Sequence, residues 1–588
     1  MKNDEQHKAA GIGISPGIAI GPAFIIEQSG IPVPEYEIPA AQIEREIKRF
    51  HGAITKVQKH LSQMRQKAET LASGAEDMLL LLDAYKGMLS GSRLVRGVEA
   101  IIERQHLNAE AAIQKQIASL KSSFARMDDH YLAARAEDVG EVGTRLIRSL
   151  QQQNYNPFAS APAGCIILAE EMTPADAALL NPERVVGFAT VLGGAEGHAA
   201  IIARAIGIPA ISGVGALTHG IRSNDLIIID GRRGEIIARP DAQTLQHYKQ
   251  EAVRKRQEDR RLKSLRKIPA VTQDGKNILL QANMELPRDI DAVFGSGAEG
   301  VGLLRTEFMF MNRATLPDEE EQYLALRKIV EKLDGLPITI RTLDVGGEKL
   351  ASAVGDALGE SANPALGLRA IRLGLKQPKL LDTQLAAILR AGMHGPVRIL
   401  IPMVSSVDQM NQIRARLLNV ERRLHRRGIK LKGLPPLGAM IEIPGAALVA
   451  DSLARLCDFF SIGSNDLTQY TLAIDRGDDQ VADLYDPFHP AVMRLIQFTV
   501  AAAWRANIPV SLCGEIAGDV RATALLLGLG LRELSVAPLR LPAVKNEIMQ
   551  TTLSQAVDLA EQALNKTNQE EILNLLLQNL SKSRGKGG

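Results

Sequence analysis

Two carboxylates and several cations recur at the ends of short apolar runs in the second half of this chain. Arg305 closes one run; Arg341 and Asp344 close the next, with Lys349 just beyond Gly346-Gly347. Glu442 precedes Pro444, Asn465 and Asp466 end another run with Arg476 further on, and Cys513, Gly514 and Glu515 end the one after. Asn283 stands at the end of the first run, and Arg369 and Arg372 lie in NPALGLRAIR. Singly, each has an ordinary reading: a strand-end arginine pairs with a carboxylate, and a buried cysteine is a small hydrophobe. Recurrence across six runs is harder to assign to solvation. Guanidinium forks suit carboxylates and phosphates, so the set calls for a compact polyanion. Glu442 and Asp466 in the same space are costly unless a cation joins them. Few carboxylates, with room left for substrate oxygens and water, suit Mg²⁺. The pattern therefore describes a small phosphorylated carboxylic acid held by arginines and chelated to Mg²⁺, and phosphoenolpyruvate fits. Loss of its phosphoryl group leaves an enolate that must gain a proton on carbon. Cys513, with an unperturbed pKa of about 8.5, is mostly protonated at neutral pH and can supply it.

A second chemical stretch stands earlier, LGGAEGHAAIIARAIGIPA (192–210). Gly193-Gly194 predicts a tight turn, and an apolar helix follows and stops near Gly207–Pro209. His198 then lies near a helix N-terminus, where an anion is favoured and an imidazolium is not. That suits a neutral imidazole that attacks phosphorus and carries the phosphoryl group. Thr173, before Pro174, is a candidate hydrogen-bond partner for the ring, and equally a simple turn residue.

The elements that must position these residues follow from the pattern. Residues 11–26 predict one or two strands around Ser-Pro-Gly. From about residue 40 to 152 the apolar spacing is helical, in four long segments that predict a bundle inserted between the first strand and strands that return later. GCIILAEEMTP (164–174), RVVGFATV (184–191), PAISGVG (209–215) and DLIIIDGRRGEIIA (225–238) predict a compact α/β domain around His198. Residues 241–268 read as a strongly charged connecting helix.

Eight short apolar runs then alternate with helical stretches: 278–284, 300–306, 338–344, 397–403, 437–443, 459–466, 509–515 and 533–538. This rhythm predicts a (β/α)₈ barrel, whose site forms at the C-terminal strand ends. An open doubly wound sheet is the alternative, but no GxGxxG turn follows the first run. The tail from Ala543 is helical, with SKSRGKGG at the end expected to be disordered.

Composition excludes several classes. At 588 residues the chain needs more than one core. Lys+Arg (69) balances Asp+Glu (67), so there is no basic field for nucleic acid. No apolar run reaches transmembrane length, and the first residues lack the apolar core of a signal peptide, so a cytoplasmic protein is expected. Three scattered cysteines, Cys165, Cys457 and Cys513, predict neither a disulfide framework nor a metal cluster.

The motifs DFFSIGSNDLTQYTLAIDR (458–476), LCGEIAGD (512–519), EGVGLLRTEFMF (299–310), RTLDVGGEK (341–349) and NPALGLRAIR (363–372) resemble those of the phosphoenolpyruvate–protein phosphotransferases, the enzyme I family of the bacterial sugar phosphotransferase system (EC 2.7.3.9 type). The resemblance covers nearly the whole chain. It implies a multidomain α/β protein: a swivelling phosphohistidine domain (1–35 and 153–240), an inserted helical bundle that docks the carrier HPr (36–152), a linker (241–268), and a TIM-type barrel that binds phosphoenolpyruvate and dimerises (269–588). It implies phosphorylation of His198 with release of pyruvate, then transfer to a histidine of HPr or an HPr-like carrier. Carried over by position, Arg305, Arg341 and Arg369 bind phosphoenolpyruvate, with Lys349, Asn465 and Arg476 supporting. Glu442 and Asp466 hold Mg²⁺, Cys513 is the proton donor, and Arg135 contacts the carrier.

Around His198 the chain departs from the family, with Ala195, Glu196, Gly197 and Ala199 where an arginine, threonine and serine are usual. A carboxylate there repels an incoming phosphoryl group and raises the imidazole pKa. Two alternatives follow: a regulatory paralogue with weak or redirected transfer, and a dikinase or phosphoenolpyruvate synthase relative. The second needs an ATP-binding domain, for which the helical first residues carry no Gly-rich loop.

Overall fold

A computed structural model of the chain describes residues 6–26, 33–68, 76–124, 130–151, 158, 161–172, 180, 184–192, 203, 207–215, 221–310, 315–345, 363, 365–475, 481 and 484–585. It divides into two compact units, residues 1–257 and 258–588.

In the first unit residues 11–26 form two strands, within the one or two expected, and a further strand precedes them: β1 (His7–Ala10), β2 (Ile12–Ser15) and β3 (Ile18–Ile26). Gly11 separates β1 from β2. β1 pairs antiparallel with β8 (Glu235–Ala238), whereas β2 pairs with β6 (Ala210–Ser212), and these lie at opposite ends of the sheet order β1-β8-β7-β3-β4-β5-β6-β2. One residue joins the two edges, so the sheet curls until they meet. Gly11 donates its N–H to the Gly234 carbonyl, and a Cβ on it would lie 2.7 Å from the Ser212 carbonyl oxygen. β4 (Cys165–Ala169) and β5 (Val185–Thr190) continue in parallel beside β3, and β7 (Leu226–Asp230) joins antiparallel on its other side.

Between the neighbouring, parallel strands β3 and β4 the chain makes a long helical excursion. Among the described residues it holds five helices where four segments were expected: α1 (Ile43–Ala68), α2 (Glu76–Met88), α3 (Arg93–Gln105), α4 (Ala109–Phe124) and α5 (His130–Leu150). The extra break splits the run GVEAIIERQHLNAEAAIQ. His106 takes a left-handed conformation (φ 54°) that ends α3. Asn108 then turns its side chain to the Tyr36 N–H and the Pro34 carbonyl, so local hydrogen bonds outweigh helix continuation. The helices bury Phe50, Leu61, Met64, Leu82, Val98 and Ile113. Tyr85 is fully buried with them, and its hydroxyl donates to Asp138 at 3.2 Å.

The charged stretch forms one long helix, α6 (Ala242–Ser264). The second unit is a closed barrel of eight strands: β9 (Leu279–Met284), β10 (Val301–Leu304), β11 (Ile338–Arg341), β12 (Val397–Ile401), β13 (Leu437–Ile441), β14 (Phe459–Ile462), β15 (Val510–Leu512) and β16 (Glu533–Val536). Every pair is parallel, and β16 closes onto β9. Each strand falls inside one of the eight apolar runs. Parallel barrel strands are buried on both faces, so they read as unbroken apolar segments rather than alternating ones. One face packs under the outer helices. The other fills the barrel, where Leu303, Leu400, Met440, Phe459 and Cys513 form one layer. Three further helices follow, and the last runs through Gly585, so residues 581–585 of the expected disordered tail are helical. Glu570 and Glu571 in its first turn favour it through the helix dipole. No helix among the described residues is long and apolar enough to cross a membrane.

The helix Thr523–Gly528 passes so close to Leu553–Leu564 that a Cβ on Gly528 would strike the Ala556 carbonyl. Gly528→Ala is therefore expected to push these helices apart and to cost ~2 kcal/mol, read as a lowered midpoint in urea unfolding of the full chain. An unchanged midpoint would show the crossing to be looser than described.

Candidate functional site

The barrel brings the residues from its C-terminal strand ends to one rim. Arg341 is the last residue of β11 and is 8% exposed. One of its guanidinium nitrogens donates to Glu307 at 2.8 Å and the other meets Asp344 at 2.9 Å. Glu307 is held there because Thr306 hydrogen-bonds the Arg341 carbonyl, which fixes the loop after β10 against the end of β11. Asp344 bridges to a second guanidinium, Arg369, at 2.9 Å, and Arg369 also donates to the Tyr470 hydroxyl at 3.3 Å. Glu442 follows β13, is 1% exposed, and accepts the Met403 N–H at 2.5 Å. Asp466 sits in the first turn of the helix Ser464–Leu472, where the helix dipole favours a carboxylate, 3.9 Å from Arg369.

One oxygen each from Asp344, Glu442 and Asp466 lies within 4.8 Å of the others. Glu442 and Asp466 were expected to meet, and they do. Asp344 is the member not assigned to the metal from sequence. Its position three residues after Arg341 at a strand end was visible, but that spacing reads as a simple ion pair.

Electrostatics at the rim are sharply polarised. Burial pushes the Glu442 carboxyl well above the usual carboxylate range, and the neighbouring Asp344 and Asp466 add to it. Burial works against the Arg341 charge too, but Glu307, Asp344 and Glu442 more than offset this and hold the guanidinium charged. Asp344 goes the other way: burial alone would raise it, yet Arg341 and Arg369 keep it below its ordinary value. Three carboxylates around one point, one of them reluctant to ionise, could together hold a hard divalent cation. Among the described residues, Glu307 Oε2, Arg341 Nε and Ser464 Oγ are buried without a hydrogen-bond partner. Such orphaned groups beside a carboxylate cluster leave hydrogen-bonding capacity that a polar ligand could take up.

Other expected residues lie nearby, each with partners of its own. Arg305 is more exposed and pairs with Glu285 at 2.5 Å. Arg372 does not join the rim cations as expected: it donates to the Leu366 and Gly367 carbonyls and holds the loop before Arg369. Asn283 is a brace, donating to the Cys513 carbonyl and accepting from Ser535. Asn465 exchanges two hydrogen bonds with Glu515, both at 2.9 Å, and so ties the ends of β14 and β15 together. Cys513 is buried inside the barrel, and burial pushes its thiol pKa up, so it stays protonated at neutral pH. Cys165 and Cys457 are also buried free thiols. His198, Lys349, Arg476 and Thr173, with Ala195, Glu196, Gly197 and Ala199, lie outside the described residues. Arg135 falls on α5, but its side chain is outside them too.

A parallel barrel whose rim combines arginines with a carboxylate triad has the form of an enzyme site able to take a small polyanion, with carboxylates that could hold a divalent cation. The family model described as PEP-utilising enzyme, PEP-binding domain, matches residues 259–553; the N-terminal and mobile domains of the same enzymes match 10–135 and 161–234. The chain is 41% identical over 571 residues to a phosphoenolpyruvate-protein phosphotransferase of Cupriavidus necator, covering 95% of this chain and 97% of that one. It is 37% identical to that of Listeria innocua (96% and 98% covered) and 36% identical to that of a Bacillus species, strain S (97% and 98% covered). The chain belongs to the phosphoenolpyruvate-protein phosphotransferases.

Arg341 should hold the rim together. Arg341→Met leaves Glu307 and Asp344 short of a cation and is expected to cost ~3 kcal/mol, measured by denaturant unfolding. Adding Glu307→Gln should recover part of that loss. Equal stability of Arg341→Met and wild type would contradict the ion-pair arrangement.

Proposed function

We propose that the chain takes the phosphoryl group of phosphoenolpyruvate onto His198, releases pyruvate, and passes the group to a histidine of HPr or an HPr-like carrier. The observation that carries this is the Asp344, Glu442 and Asp466 triad packed against Arg341 and Arg369. It offers a divalent cation and two guanidinium forks to one compact trianion. Mg²⁺ is the cation we assign, because all three donors are carboxylate oxygens and the orphaned rim atoms leave room for substrate oxygens. Bound there, it would act as a Lewis acid towards phosphoryl and enolate oxygens.

Arg341 and Arg369, held by Glu307, Asp344 and Tyr470, orient the phosphate and carboxylate of the substrate. Arg305 leaves Glu285 to add a third fork, with Lys349, Asn465 and Arg476 supporting. In-line attack by the His198 imidazole then needs little beyond positioning and charge stabilisation. Cys513 returns a proton to the enolate carbon.

The domain reading follows the same logic. Residues 1–35 and 153–240 carry the histidine, 36–152 dock the carrier through a surface that includes Arg135, and 269–588 bind phosphoenolpyruvate and form a homodimer. His198 must reach both partners, so residues 241–268 serve as the connection about which it moves. This assigns a cytoplasmic enzyme of the sugar phosphotransferase type.

Two experiments test the reading. Radiolabelled phosphoenolpyruvate should label the full chain, and His198→Ala should abolish the label; undiminished label in that variant would refute the assignment. Asp466→Asn should weaken Mn²⁺ or Mg²⁺ binding by roughly tenfold or more, since loss of even an outer partner costs that much. Calorimetric titration showing wild-type affinity would remove the triad from the metal.

A further inference from the structure

Inside the barrel three side chains form a hydrogen-bonded file. The Ser511 hydroxyl donates to Ser461 Oγ at 3.1 Å, and the Ser461 hydroxyl donates to Cys513 Sγ at 3.3 Å. Ser461 is fully buried, and Ser511 and Cys513 are nearly so. The Cys513 thiol faces the Ile462 carbonyl at 3.5 Å, while the Ser511 hydroxyl has the Phe460 carbonyl as a second acceptor at 3.5 Å. Around them the layer is apolar: Leu303, Leu400, Met440 and Phe459.

Two hydroxyls in such a layer bring desolvation cost and fill no more space than alanines would. Their direction is informative. Each hydrogen bond points along the file towards sulfur, so the thiol receives a donor that a neutral S–H, a weak acceptor, barely needs. A thiolate needs it strongly, because burial disfavours the anion and Glu442 adds to that, with Arg341 and Arg305 offsetting only part. We propose that Ser461, held by Ser511, is a positioning residue that steadies the Cys513 thiolate formed when its proton passes to the enolate carbon. This rests on the proposed role of Cys513 as proton donor.

The step balances without further reagents. The S–H bond breaks and sulfur keeps its electron pair. The enolate C2–C3 π pair forms the new C3–H bond, and an oxygen lone pair closes the C2 carbonyl of pyruvate. The Ser461 hydroxyl then faces a full negative charge instead of a neutral thiol. A hydrogen bond to an ion is stronger than one to a neutral group, so Ser461 lowers the barrier to protonation more than it aids substrate binding.

The test follows the appearance of pyruvate in a single turnover of the full chain with Mg²⁺ and phosphoenolpyruvate, in H₂O and in D₂O. Ser461→Ala should slow it by roughly tenfold with a larger solvent isotope effect. Ser511→Ala should slow it less. Ser461→Cys, close in volume and a weaker donor, should fall between wild type and Ser461→Ala and guards against a folding defect. In a Cys513→Ala background, Ser461→Ala should add no further loss, because its effect runs through sulfur. A wild-type rate in Ser461→Ala, or an equal loss in both backgrounds, would overturn the inference while leaving Cys513 as donor. A wild-type rate in Cys513→Ala would overturn the donor reading and this inference with it.

Discussion

One buried guanidinium organises the rim of the barrel. Arg341 stands between Glu307 and Asp344, with Glu442 close behind. Remove its charge and the carboxylates repel one another; remove the carboxylates and a buried cation is left without a partner. Neither half is stable alone, which is why the ends of β10, β11 and β13 are locked to one another through side chains as well as through the barrel backbone. The arrangement also leaves a deliberate imbalance. Glu442 resists ionisation where it stands, because burial and the neighbouring Asp344 and Asp466 all disfavour its charge.

The closed barrel makes this arrangement possible. Parallel pairing in fixed register brings eight chain segments, separated by long helical excursions, to one circular edge. Interior side chains are stacked in layers: the apolar layer around Leu400 and Phe459 supports the charged rim from beneath. Cys513 belongs to that apolar layer. Such a site can exclude water below the reacting atoms while keeping its open face polar.

Family membership and rim geometry are independent lines that agree. Relatives at 36–41% identity over almost the whole chain carry the phosphotransferase name. The carboxylate triad and paired arginines come from coordinates alone and describe the same kind of substrate. The departures around His198 concern a different part of the chain from the rim.

Much of this was legible in the sequence. The eight barrel strands announce themselves as short apolar runs because parallel strands bury both faces, and strand-end residues such as Arg341 and Glu442 follow from that pattern. Residues 241–268, strongly charged with a few apolar positions, read as a connecting helix, and Ala242–Ser264 forms one. Other features depend on contacts that no local pattern encodes. That Gly11 joins two opposite edges of one sheet requires strands far apart in the chain to meet, His7 with Ala238 and Ile12 with Ser212. That the bundle has a break at His106 depends on Asn108 finding Tyr36 and Pro34. Asp344 looks like an ion-pair partner of its neighbour until Asp466, over a hundred residues later, is brought beside it. Arg372, next to a rim arginine in the chain, is turned to backbone carbonyls instead. Residue types and spacing thus determined the fold class and the chemistry on offer, because periodicity and charge are local properties. Which of those charges share a point in space was decided only by the tertiary structure, because burial and Coulomb energies depend on distances between segments far apart in the chain.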